Sequence, residues 1–534
     1  MKKNQTLSAK NIWAFFLFGL AVSCGAALLQ HAPGYMDAEY YFAGGVRLAQ
    51  GHGFTQNFLW NYLDQPSGLP HPSHTYWMPL PSLVAALGMM VVNSQTYLAG
   101  KTIFVILAAL LSPLTAVTAW SLSHHRTTAV LAGFFALFPG FYLAYTTATE
   151  TVTLYMILGT LFFLITSKPG LSERDHFLTG LIAGALHMTR ADGLLWGAAA
   201  GGWIIYLWLR QKPFERSISK LLISLLVFMA GYLALSGFWY WRNLQIFGSP
   251  FPPGGNLTLW LTEYNQTFLP AGTLLTFSNW LESGISSIIK VRLDALWVNL
   301  QTFAAVQGGI FLLPFIVAGL WQLRKKRIIQ LAVGLWFATL LVMSFAFPFA
   351  GMRGGFLHSG AAFQPLFWAA AVIGLKCAVD WGVKHRNWHP TRAFQNFGML
   401  LVFCSAVMTV FLFTSSVIGS DPRQPIIQKN QLDFEQIHQF LKNQGLSTGV
   451  IMINDPPGFS VTTGVSSIVI PFGDLNEIVM VGEKFDADYL VIQTNHVPAL
   501  SNLYVTPVSV KGLRYIGKAA DAQIYGFEGG GNGH

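Results

Sequence analysis

The sequence predicts an all-α polytopic membrane protein with a small α/β domain appended toward its C-terminal end. Hydrophobic residues make up 53% of the 534 positions and charged ones only 10%, far from the composition of a soluble domain. Apolar stretches close to the ~20 residues needed to cross a bilayer recur along most of the chain. Past about residue 420 the hydropathy falls, and short alternating and amphipathic patterns replace the long runs.

The first apolar run, 11–29, follows Lys2, Lys3 and Lys10, which resembles a signal peptide. Only "AVSCGAA" offers a weak small-x-small site, so the run is read as an uncleaved span. Further stretches fall at about 79–93, 102–121, 127–144, 149–167, 176–189, 191–209, 219–240, 296–322, 328–348, 356–379 and 396–418. Arg210, Lys212, Arg216 and Lys220, then "RKKR" at 324–327, then Lys384, Arg386 and Arg392 mark cytoplasmic loops. With a cytoplasmic N-terminus these loops cannot all keep their side if every stretch crosses. The stretch "WMPLPSLVAALGMMV" is short and has two prolines in its first turns. Laid in the outer interface, it leaves about eleven crossings and closes the parity.

That topology gives a membrane module over 1–419 with two long outer loops, about 31–101 and 241–295. The first holds two in-plane helices, beginning with "DAEYYFAGGVRLAQG". The second opens on "WYWRNLQIFGSPFPPGG", an aromatic girdle and then a Pro/Gly-rich turn. The α/β domain over 420–534 is then extracytoplasmic. In it "TGVIMIND" and "ADYLVIQT" read as buried strands, "QLDFEQIHQFLKNQG" and "DLNEIVMVGEKF" as helices, and the tail "GGGNGH" as disordered. Cys24, Cys377 and Cys404 lie in apolar runs and read as packing rather than disulfides. The net charge of +9 is accounted for by cytoplasmic loops, and nucleic acid is not indicated.

Ionisable residues at membrane depth are costly and mark candidate chemistry. Asp37, Glu39, Glu150, Arg190, Asp192, Arg242, Arg353 and His358 all fall at outer ends of spans, with His71 and His74 in the first loop. Carriers more often place such groups at the midplane, so a cavity opening outward fits better. Asp37, beside Tyr35, Tyr40 and Tyr41, suits a general base or a helix N-cap equally. Arg190 could grip a phosphate with Asp192 holding it, or the two could form a structural ion pair. Glu150 reads first as a helix cap; paired with Asp37 it could instead orient an acceptor or bind a divalent cation. His71 and His74, three apart with no third ligand, are a weak metal signal. Arg242 is a second candidate phosphate contact, while Arg353 and His358 in "GMRGGFLHSG" could close over a headgroup or simply snorkel.

In their order, these motifs resemble the GT-C membrane glycosyltransferases that use polyprenyl-phosphate-linked sugars, including the protein O-mannosyltransferases and the bacterial aminoarabinose transferases of lipid A. "MDAEYYFAGGVRLAQGHGF" resembles the family's first motif through Asp37 and Tyr41. "HPSHTYW" resembles the second through Pro72, Tyr76 and Trp77, with Pro70 and His71 where the aminoarabinose transferases have Glu-Lys, so that a carboxylate is missing. Glu150 stands where the family has an acidic residue at a span start, and Arg190 with Gly193 where it has a basic residue and Gly. Ala38 occupies a position that is Glu in many members, with Glu39 one place later, and the resemblance covers most of 12–250.

The resemblance implies an inverting transfer, at the outer face of a bacterial plasma membrane, from a polyprenyl-phosphate sugar to a hydroxyl on a protein, lipid or glycan. Asp37 would be the base, with Glu150 beside it. Glu39, Tyr41, His71, Tyr76, Arg190, Asp192, Arg242, Arg353 and His358 would bind substrate. No cofactor is required and a divalent cation stays open. The competing readings are a flippase or carrier for a lipid-linked glycan, and a scaffold whose C-terminal domain recruits other envelope enzymes.

Overall fold

The computed structural model describes residues 7–270, 272–446 and 449–528; the tail "GGGNGH" lies outside them. Six helices among these residues are long and apolar enough to cross a membrane, and a seventh span arises if Arg126–Leu137 and Gly140–Thr146, bent by 47°, count as one. Thr151–Thr166 and Leu313–Gln322 are apolar but shorter. The chain is thus a multi-pass helical protein with a small sheet region.

Sequence explains how the helices pack. Gly180, Gly184 and Gly231 bring the helices Glu173–Thr189 and Ile218–Phe247 to backbone contact, Gly184 facing the Tyr232 carbonyl and Gly231 that of Phe177. Small residues allow such close approach, where packing rather than water drives helix association. Gly319 and Gly374 do the same for Leu313–Gln322 against the central segment Pro348–Arg386, the most enclosed of the spans. Around it lies the main core, including Phe162, Phe163, Trp196, Phe363 and Phe367.

Two expected boundaries move. The helix Ile218–Phe247 carries "WYWRNLQIF" inside it, so the second loop begins at Gly248, whose φ of 67° stops the helix. The expected span 296–322 is broken. It starts at Ile285, passes through a wide turn over Phe303–Gln307, and resumes at Leu313–Gln322. Gly309 at φ 50° and Pro314 next to the break explain the interruption.

The first loop forms the expected helix, Met36–Ala49, and a second, Leu80–Val92, packed against it. Between them β1 (Thr55–Gln56) pairs antiparallel with β3 (His71–Pro72). The intervening β2 (Phe58–Leu59) leaves the loop altogether. It forms one edge of a six-stranded sheet with β4 (Val450–Met452), β5 (Ser466–Ile468), β6 (Ala487–Ile492), β7 (Leu513–Ala519) and β8 (Ala522–Phe527), in the order β2-β5-β4-β6-β8-β7. β2, β5, β4 and β6 run parallel, and β8 and β7 close the sheet antiparallel. Phe434, Ile437, Leu441 and Phe459 cover one face; Ile478, Val481, Leu500 and Leu503 cover the other, which also takes Leu59 and Tyr62 from the first loop. The C-terminal α/β layer is therefore not built from residues 420–534 alone.

Candidate functional site

The Met36–Ala49 helix follows the extended residue Tyr35, and its first turn carries Asp37 and Glu39. Tyr35 takes the N-cap position without a side-chain capping bond, so the capping alternative for Asp37 has no bond behind it. Instead Asp37 keeps partial exposure and lies within the fields of His358, Glu150, Arg190 and Asp455. Burial lifts its carboxyl from the ordinary 3.8 to about 6; His358 and Arg190 pull against that rise, and Glu150 and Asp455 add to it.

Glu150 does cap the helix Thr151–Thr166, accepting from the Thr151 N–H. Its other oxygen meets His358 Nδ1. His358 comes from the segment after the helix break, where Gly354 at φ 103° turns the chain. Arg190 ends the helix Glu173–Thr189 in extended conformation. Its Nε donates to Asp192 Oδ1 at 2.9 Å and its Nη2 to the Gly355 carbonyl at 3.3 Å. Tyr155 donates to the other Asp192 oxygen at 3.3 Å, and its ring lies 5.9 Å under the guanidinium. Ion pair and grip are compatible here: Asp192 and Gly355 orient the fork, and Nη1 has no partner among the described residues.

Aromatic rings wall this cluster. Tyr41 lies within the fields of Glu150, Asp37 and Arg190. Tyr76 lies within the fields of Tyr264, Asp37 and Arg190 and packs edge-on to Trp60 at 5.0 Å. Arg353 stacks on the Tyr264 ring at 3.6 Å, and Tyr145 meets His358 edge-on at 5.8 Å. Of the residues singled out in the sequence, Asp37, Tyr41, Tyr76, Glu150, Arg190, Asp192 and His358 thus converge, and Arg353 reaches them through Tyr264.

Three others do different work. The Arg242 guanidinium donates to the carbonyls of Phe54 at 3.3 Å and Ser73 at 2.9 Å and to Asn243 at 3.1 Å, and stacks 4.5 Å over Trp239. It ties the first loop to the helix Ile218–Phe247. His71 is bonded to Asp64 at 2.7 Å. Glu39 is buried and turns toward the C-terminal layer. There Gly458 is so close that a Cβ would stand 2.8 Å from the Glu39 carboxyl carbon. Burial and the neighbouring Asp455 carboxyl raise the Glu39 pKa well above its usual range.

The two histidines of the first loop do not pair as metal ligands, since His71 is taken by Asp64. His74 spends its ring nitrogens on Ser73 and Ser82 at 2.8 and 3.0 Å, and burial lowers its pKa to about 3. Among the described residues no group of three or more His, Cys, Asp or Glu is arranged so as to hold a metal ion.

The sequence offered little sign of Asp455, Tyr264 and Tyr155, nor of Thr149 before Glu150. Asp455 shows only as an N-cap before Pro456 and Pro457, Tyr264 as one polar residue in a loop, and Tyr155 and Thr149 as parts of a span and its approach.

No family model matches the chain, and no curated protein matches it. Solved structures do. The crystal structure of ArnT from Cupriavidus metallidurans bound to undecaprenyl phosphate is 13% identical, with a TM-score of 0.55 over 97% of this chain and 98% of that one. Its apo form gives 12% and 0.51 over the same shares. The Archaeoglobus fulgidus oligosaccharyltransferase tethered with an acceptor peptide gives 13% and 0.53, over 90% of this chain and 69% of that one. The chain accordingly has the fold of ArnT and of the oligosaccharyltransferase, in line with the fold that the resemblance of its motifs implied.

Proposed function

We propose that the chain is an inverting glycosyltransferase that moves a sugar from a polyprenyl-phosphate carrier to an acceptor hydroxyl. The observation that carries this reading is the convergence of a raised carboxyl, Asp37, with a braced guanidinium, Arg190, each partly exposed. Asp37 takes the proton of the acceptor hydroxyl as its oxygen attacks the anomeric carbon from the face opposite the phosphate. The bond from that carbon to the phosphate oxygen breaks, and Arg190 meets the charge gathering on the departing phosphate. Asp192 and Gly355 hold the fork in place, so little reorganisation is needed when that charge develops. Glu150 fixes the His358 ring beside Asp37, and Tyr41, Tyr76 and Tyr264 exclude water around the reacting sugar.

The same reading puts this site at the extracytoplasmic end of about eleven crossings, with a cytoplasmic N-terminus in a bacterial plasma membrane. Basic loops at 210–220, 324–327 and 384–392 support it. Bound undecaprenyl phosphate in the ArnT structure supports the donor class. The test is mass spectrometry of polyprenyl-phosphate release from a panel of lipid-linked sugars, with envelope extract as acceptor. Consumption of one donor by wild type and not by Asp37→Asn is expected. Movement of the lipid across vesicles with no glycosidic bond formed overturns the reading in favour of a carrier.

A further inference from the structure

Asp37 and Glu150 come from segments more than a hundred residues apart, yet they must keep one separation for Glu150 to hold the His358 ring beside Asp37. The Thr149 hydroxyl, completely buried, donates to the Ala38 carbonyl at 2.8 Å. The donor directly precedes Glu150 and the acceptor directly follows Asp37, so this is the shortest covalent route between the two carboxylates that passes through a hydrogen bond. The stretch behind Thr149 is itself fastened. Thr147 donates to Gln30 Oε1 at 2.6 Å, Gln30 Nε2 to the Ala144 carbonyl at 2.6 Å, and Thr153 to the Thr146 carbonyl at 2.6 Å. Lys101 then clamps the Ala27 and Gln30 carbonyls at 2.6 Å each, at the end of the helix Ala9–Leu29. Thr149 stands at the open end of this chain of bonds and passes its rigidity to the Met36–Ala49 helix.

We propose that Thr149 is a positioning residue that sets the distance between Asp37 and Glu150, and that the proposed transfer depends on its hydroxyl. The reading rests on Asp37 acting as base. A misplacement of about 1 Å can cost on the order of a hundredfold in rate without loss of fold.

Thr149→Val keeps the shape and removes the donor, whereas Thr149→Ser keeps the donor. The full-length protein in detergent is assayed for donor turnover, and amide exchange of the 36–49 segment is followed by mass spectrometry. For Thr149→Val, kcat falls by roughly ten- to a hundredfold, KM for the lipid donor stays within about twofold, and exchange in 36–49 quickens. Thr149→Ser restores both. Wild-type kcat in the Val variant, or equal losses in Val and Ser, overturns the proposal. If wild type turns over no lipid-linked sugar, the transferase reading fails instead. The exchange data then decide Thr149 alone: faster exchange in Val but not Ser upholds the tether, and unchanged exchange removes it.

Discussion

If Asp37 is the base, its raised pKa sets the acid limb of the pH profile. A base works only when ionised, so with a pKa of about 6 about nine-tenths of the enzyme is competent at pH 7 and about one-tenth at pH 5. The ratio kcat/KM therefore falls about tenfold between those values. An Asp left at the ordinary 3.8 would lose almost nothing over the same interval. The same shift acts on stability with the opposite sense. The neutral form is favoured in the fold, so the stabilising contribution is complete below 3.8 and is lost as pH rises through about 6. At pH 7 the ionised side chain costs about 3 kcal/mol by the shift alone, and solvent screening at its exposed edge leaves about 2 kcal/mol. Asp37→Asn is accordingly expected to abolish turnover and to raise Tm at pH 7, with the gain vanishing at pH 4. The assay is donor consumption from pH 4.5 to 8, alongside thermal unfolding in detergent. A flat profile from pH 5 to 7, a midpoint near 4, or turnover by Asp37→Asn would refute the assignment.

Neighbouring charges move that midpoint in set directions. Glu150→Gln removes a charge that raises Asp37, and His358→Ala one that lowers it; the first should shift the acid limb to lower pH and the second to higher, read from the same profiles. Arg190→Lys keeps the charge but not the fork held by Asp192 and Gly355, and should lower kcat about a hundredfold, measured in single-turnover donor consumption. Arg242→Ala strands two loop carbonyls, and its loss should cost about 2 kcal/mol of stability, seen as a lower Tm together with faster proteolysis in 50–75.

The membrane bundle and the Met36–Ala49 helix were legible in the sequence because their signals are local. Apolar length, basic loops and an amphipathic start are each carried by adjacent residues. The strands at 450–452 and 487–492 showed for the same reason. The β2 strand did not. Two residues between a glycine-rich turn and a tyrosine have no periodicity to read, and their partner is more than four hundred positions away. The site was legible as a set of costly charges at span ends, which brought Asp37, Glu150, Arg190 and His358 onto one short roster. Their division of labour was not, since nothing in "WYWRN" says that Arg242 will spend its fork on the carbonyls of Phe54 and Ser73. Nor does "TTATE" say which of its threonines reaches Ala38.

The strand β2 has a bearing on how the molecule is made. Its partners, Ser467 and Ile468, and the Val469 carbonyl that accepts from Tyr62, are synthesised some four hundred residues after the first loop. Until then the segment holding Asp37 lacks its sheet edge, and Glu39 faces water rather than Gly458. A chain halted after its last long apolar helix therefore has its helices but an unfinished first loop. The first loop can take its final form only once the C-terminal residues that complete its sheet have been made.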